Sequence, residues 1–223
     1  RSLDTDPFRA LLRECYSSHS TRGETVRAQN IKVEPESIKQ YGKKAQKHFD
    51  TIRQDLQIMA NTIENAPYEG DNAADFKNDC GDMMAKFSKG FLADIAGIAT
   101  CVRTTTTNIA QALGGQPIVI KVDGSPIHAQ ARRSKDGKVQ SVDTIALGSL
   151  PTILNTRFDS IKAELRSHLH ALEATAWEGN GKKTAVDSVT QFTRTASSHA
   201  EDAKKSIIDY VQSQLKAIVA VDK

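Results

Sequence analysis

The sequence predicts an all-α fold in which two fused antiparallel helical hairpins pack as one four-helix bundle. Three observations lead there. Four long stretches repeat apolar residues at steps of three and four, two aromatic-Glu-Gly turns divide those stretches into pairs, and the pairs superpose when the sequence is shifted by 109 residues. Composition agrees: 39% of the 223 residues are hydrophobic, enough for a core, while only 5% are aromatic, which argues against a bulky sheet sandwich. No window holds eighteen uncharged apolar residues, so no membrane-spanning helix is expected. Leu3 to Leu12, broken by Asp4, Asp6, Pro7 and Arg9, does not read as a signal peptide.

Residues 1–31 form an N-terminal extension outside the repeat. Phe8, Leu11, Leu12, Cys15 and Tyr16 have the spacing of a short amphipathic helix, and Ser17 to Asn30 reads as polar loop. The first hairpin is assigned to 32–113. Ile38, Tyr41, Ala45, Phe49, Ile52, Leu56, Met59 and Ile63 mark one face of a helix of about seven turns. Glu34 is expected to cap it, with Pro35 at the first helical position, where a missing amide hydrogen is harmless. Ala66 to Asn72 supplies the stop and turn. Phe76, Cys80, Met83, Phe87, Phe91, Ile95, Ile98, Val102 and Ile109 then mark the second helix.

The connector spans 114–140. Its bases Lys121, Arg132, Arg133, Lys135 and Lys138 outnumber Asp123 and Asp136 by three, the whole of the chain's net charge of +3. These five bases are the connector's candidate contacts to an acidic partner, although a solvated linker accounts for them as well. A charge so near balance carries no strong nucleic-acid signal. Pro117 to Gly124 is β-branched and ends in Asp-Gly, and Asp136-Gly137 follows, which suggests a small β-hairpin whose edges offer hydrogen bonds to a peptide.

The second hairpin is assigned to 141–223. Leu147, Leu150, Leu154, Phe158, Ile161, Leu165, Leu169 and Leu172 form its first stripe. Val189, Phe192, Ala196, Ala200, Ala203, Ile207, Tyr210, Leu215 and Ile218 form an Ala-rich second one suited to close packing. Under the shift of 109, Val33 meets Val142, Phe49-Asp50 meets Phe158-Asp159, and Tyr68-Glu69-Gly70 meets Trp177-Glu178-Gly179. Identities are few, but they fall on core and turn positions. A lone hairpin leaves one apolar face open, so the two must cover each other. Periodicity alone leaves parallel and antiparallel packing of the hairpins open.

At the turns the sequence resembles the WXG100 family of type VII (ESX) secretion. Trp177-Glu178-Gly179 matches its Trp-x-Gly turn, Tyr68-Glu69-Gly70 is the same turn with tyrosine, and Val33 to Ile38 looks like the family's lead into helix one. The resemblance covers residues 32–113 and 141–222 as two fused copies. It implies a noncatalytic secretion substrate or interaction protein, cytoplasmic before export and then secreted or at the cell surface by a non-classical route. Its partners would be type VII components or a secreted protein, and a virulence-associated role would follow. Tyr68, Glu69, Gly70, Trp177, Glu178 and Gly179 are then the turn and recognition residues. The family's Tyr signal, with Asp or Glu four residues on, is missing: Tyr210 is followed by Gln214, Tyr41 by Ala45, Tyr68 by Asn72 and Tyr16 by Ser20. A membrane-active or toxin-delivery helical domain is the alternative.

Enzymatic chemistry is not expected. His168 and His170 do not share a helical face, and only a meeting of His168 with His199 across helices would make a pair. No Glu-x-x-His motif is present to build a diiron bundle, and Cys80 and Cys101, some 30 Å apart on one helix, suit a core better than a disulfide or a nucleophile. The glycines form no phosphate loop. No catalytic, metal or cofactor site is assigned.

Overall fold

The computed structural model describes residues 32–113, 116–129 and 141–221. The N-terminal extension, with its expected amphipathic helix, lies outside the described residues. So do Arg132, Arg133, Lys135 and Lys138. In chain order the elements are β1 (Lys32–Val33), α1 (Pro35–Glu64), β2 (Tyr68–Glu69), α2 (Asp71–Leu113), β3 (Ser141–Val142), α3 (Thr144–Glu173), β4 (Trp177–Glu178) and α4 (Asn180–Val221). The fold is an all-α four-helix bundle with small antiparallel β pairings. Every element of the second hairpin begins 109 residues after its counterpart, so the duplication read in the sequence is also the duplication of the structure.

The helices begin as their local chemistry requires, with one correction. Pro35 opens α1, but the Glu34 side chain makes no cap hydrogen bond. Asp143, at the equivalent place in the second repeat, does cap: its carboxylate accepts from the amides of Ile145 at 3.0 Å and Ala146 at 2.9 Å. An aspartate reaches those amides from the cap position, whereas glutamate's extra methylene carries its carboxylate past them. The expected stripes supply most of the core: Ile52, Leu56, Phe158, Ile161 and Leu165 are fully buried, while Ile109, Leu169, Ala203, Tyr210, Leu215 and Ile218 are partly buried against it. Burying each such side chain contributes about 1.5–3 kcal/mol. In α2 the buried methionine is Met84, with Met83 only packed against the core.

The hairpins pack antiparallel. β1 pairs with β4, placing Val33 opposite Trp177, and β2 pairs with β3, placing Tyr68 opposite Val142. Each turn therefore pairs with the lead-in strand of the other repeat, and the two turns sit at opposite ends of the bundle. α1 packs along α3 and α2 along α4, which closes the core around a pseudo-twofold axis.

The symmetry breaks at the connector. α3 and α4 pack closely within the second hairpin, while α1 and α2 touch much less. The described stretch 116–129 runs as an extended ribbon beside α1 and α2, with Ile118, Ile120, Ile127 and Ala129 buried. Two glycines admit it. A Cβ on Gly42 would stand 2.6 Å from Ile118 Cγ2, and one on Gly81 would stand 2.6 Å from the backbone oxygen of Ala129. The second repeat carries Pro151 and Thr190 at those positions, and among the described residues no ribbon enters there.

This geometry sets a test. Gly81→Val should lower the free energy of unfolding in a denaturant titration by about 1–3 kcal/mol, because a backbone carbonyl blocks the new side chain. Gly90→Ala, where a Cβ meets nothing within 4 Å, should instead leave stability unchanged or raise it by up to about 1 kcal/mol.

Candidate functional site

Three features hold the chemistry that the bundle itself does not need: the two turns, the connector's contacts, and a polar seam between α1 and α3. The turns are built alike. Gly70 has φ 113° and Gly179 φ 124°, the left-handed region that glycine enters without strain. The amide of Tyr68 donates to the Ala66 carbonyl at 2.7 Å, and that of Trp177 to the Thr175 carbonyl at 2.8 Å. Asp143 N–H donates to the Pro67 carbonyl and Glu34 N–H to the Ala176 carbonyl, so each turn is also tied to the other repeat.

The recognition residues named from sequence divide into two kinds. Trp177 is buried, its ring closing the end of the core near Ile38, Tyr41, Leu172 and Ala185. Tyr68 is half-buried against Phe76, which in turn stacks on Tyr210. Glu69 and Glu178 are exposed. The aromatics thus serve the core, and the glutamates are the parts of each turn that a partner can reach.

The connector is held by side chains that grip its backbone. The Gln46 side chain accepts from the Lys121 amide at 2.8 Å and donates to the Lys121 carbonyl at 2.9 Å. Ser88 Oγ does the same at Ile127, accepting from its amide at 3.0 Å and donating to its carbonyl at 3.3 Å. Arg53 donates to the carbonyls of Asp123 and Ser125 and pairs with the Asp123 carboxylate. Lys121 is the one described residue of the five candidate connector contacts, and its side chain is exposed. Gln46, Arg53, Ser88 and Gly42 were not marked by the sequence, since each reads as an ordinary helix-surface residue.

The seam repeats one acid–base contact across the pseudo-twofold axis. Arg157 of α3 donates to Asp55 of α1 at 3.0 Å, and at the related positions His48 Nδ1 of α1 lies 2.6 Å from Glu164 of α3. One acid and one base are conserved in place but not in kind. Beside the His48 pair, Tyr41 Oη and His168 Nε2 are 2.8 Å apart, and His168 packs on the Phe49 ring at 4.7 Å between centroids. The positions related to Tyr41 and His168 are Leu150 and Met59, so the second copy of this contact is wholly apolar.

The meeting of His168 with His199 that a histidine pair would need does not occur. His168 faces Tyr41 and Phe49, while His199 pairs with Asp94 at 3.0 Å. Burial, with His48 adding a smaller repulsion, pushes the pKa of His168 down to about 3, so the ring is neutral in the folded chain. The same burial raises the Tyr41 hydroxyl well above its ordinary value. Cys80 and Cys101 are buried free thiols, and burial with the neighbouring Asp79 carboxylate pushes Cys80 up to about 12, which leaves it an inert core residue. Among the described residues no group of three or more His, Cys, Asp or Glu side chains is placed to hold a metal ion. Nor is any helix of the described residues long and apolar enough to cross a membrane. Comparison of the chain with protein-family models, with curated proteins and with solved structures gives no match.

His168 makes the fold sensitive to acid. Its folded pKa lies below its unfolded value, so the unfolded chain takes up the proton first and stability falls as the pH drops from about 6.5 toward 3. Between pH 7 and pH 4 the loss from this group is on the order of 3 kcal/mol. His168→Gln removes the titration, and unfolding curves across this range should show a correspondingly shallower pH dependence for that variant than for the unaltered chain.

Proposed function

We propose that the chain is a noncatalytic interaction protein or substrate of type VII (ESX) secretion, a fused pair of WXG100-like hairpins that folds as one unit and presents its ends to a partner. The observation that supports this reading is the matched pair of turns. Tyr68-Glu69-Gly70 and Trp177-Glu178-Gly179 occupy equivalent places between long helices, share the positive-φ glycine, and lie at opposite ends of one bundle. Fusion keeps the two hairpins at high effective concentration, so the pair assembles without waiting for a separate partner. Each end then offers an exposed glutamate over a buried or half-buried aromatic ring.

In this reading the helices supply folding, and recognition is left to the exposed turn surfaces and the basic connector with Lys121, Arg132, Arg133, Lys135 and Lys138. The protein is made in the cytoplasm and exported by the type VII route, with a type VII component or a co-secreted protein as partner. No cofactor or metal enters the scheme. The buried, unactivated thiol of Cys80 and the neutral, enclosed His168 agree with a protein that binds rather than reacts.

The test is affinity capture from a type VII secreting cell, followed by identification of what is retained. Secretion components should be recovered with the unaltered chain. Glu178→Lys with Glu69→Lys, which leaves Trp177 and both glycines in place, should reduce that recovery several-fold while the helical circular dichroism is unchanged. Equal recovery by both chains, or no secretion component with either, would count against the reading.

A further inference from the structure

We propose that the groove between α1 and α2 is a binding site for an extended apolar peptide segment, and that the connector is its resident occupant in cis. The occupant it would exchange for is a segment of a partner protein with the same alternation of β-branched residues as Ile118-Val119-Ile120. The inference is independent of the secretion route, because it concerns what the groove binds and not how the protein travels.

Four observations lead to it. First, the ribbon has the burial pattern of a strand, with no strand partner among the described residues: Ile118 and Ile120 are buried, while Val119 and Lys121 are exposed. Second, the groove recognises backbone. Gln46 binds the amide and carbonyl of one residue, Ser88 binds the amide and carbonyl of another six residues on, and Arg53 binds two carbonyls between them. Such clamps satisfy the backbone of the ribbon without reading its side chains, so they would serve any extended chain laid there. Third, the groove marks the first repeat. Gly42 and Gly81 open it, the second repeat has Pro151 and Thr190 at the related positions, and among the described residues no ribbon lies on α3 and α4, which pack closely on each other. Fourth, the connector does not fill the site. A cavity of about 730 Å³ remains beside its first residues, where Leu113 and Val119 expose 53% and 65% of their surfaces. An incoming segment can begin there and displace the ribbon residue by residue.

Selectivity would come from side-chain size. Gly42 leaves room for the β-branched Ile118, which a Cβ there would meet at 2.6 Å, and Gly81 leaves room for the carbonyl and methyl group of Ala129. The preferred segment therefore carries Ile or Val at two alternate positions and a small residue toward its other end.

The experiment uses the full chain and a fluorescein-labelled peptide with the sequence of residues 116–129. Ile118→Ser with Ile120→Ser loosens the cis ribbon and should let the chain bind the labelled peptide at least about tenfold more tightly than the unaltered chain, since the competing occupant is weakened. Adding Gln46→Ala to that chain should lower the affinity several-fold. A peptide carrying serine in place of both isoleucines should not bind. Absence of saturable binding to the loosened chain while it keeps its helical circular dichroism, or binding indifferent to Gln46→Ala, would overturn the proposal. If the loosened chain does not keep its helicity, hydrogen exchange on the unaltered chain decides: the amides of Lys121 and Ile127 should exchange at least about tenfold faster than those of Ile52 and Leu165, through release of the ribbon alone. Equal protection at all four would overturn the proposal as well.

Discussion

A helical hairpin with one apolar face cannot cover that face by itself, and in this chain the cover is supplied by reciprocity. Val33 lies opposite Trp177, and Val142 lies opposite Tyr68, so each repeat's lead-in strand is paired to the other's turn. The pairings fix the direction and the register of α1 against α3 at both ends at once. Everything between them follows from that register: the buried stripe of Ile52, Leu56, Phe158 and Leu165, the two acid–base contacts of the seam, and the placing of both turns at the tips of the bundle. Each pairing is only two residues long, and it holds because the aromatic residue beside it is also part of the core.

Against that symmetry, the differences between the repeats locate what is particular to this protein. The helix faces that make the bundle are alike in both halves. The departures are Gly42 and Gly81 against Pro151 and Thr190, and Tyr41 and His168 against Leu150 and Met59. The first set admits a strand, and the second places a neutral imidazole in the core. Gly81 costs stability relative to Thr190 through chain entropy, and His168 costs stability relative to Met59 through desolvation. The glycines stand in the first repeat, where the connector packs, and the histidine stands in the second.

The main architecture was legible in the sequence because it is periodic. Steps of three and four residues gave the helices, and the offset of 109 gave their pairing and the equivalence of Gly70 with Gly179. The relative direction of the hairpins was not legible, since an apolar stripe reads the same from either end. The direction is fixed by Glu34 N–H to the Ala176 carbonyl and Asp143 N–H to the Pro67 carbonyl, backbone contacts that leave no mark on side-chain pattern. The ribbon's alternation was visible as β-branched residues, but its place was not. Gln46, Arg53 and Ser88 look like solvent-facing helix residues until a strand is laid over them. The buried pairing of Tyr41 with His168 was hidden for a similar reason: a histidine among apolar residues carries no sign of which neighbour shares its hydrogen bond.

The most direct measurement of the reciprocal packing is the distance between spin labels placed on the two exposed turn residues, Glu69 and Glu178, by double electron-electron resonance on the full chain. Antiparallel hairpins put those positions at opposite ends of a helix of 30 residues, so a single distance near 45 Å is expected, from a rise of about 1.5 Å per residue. A distance below about 20 Å, the spacing of two neighbouring turns at one end of a bundle whose helices pack about 10 Å apart, would contradict the account.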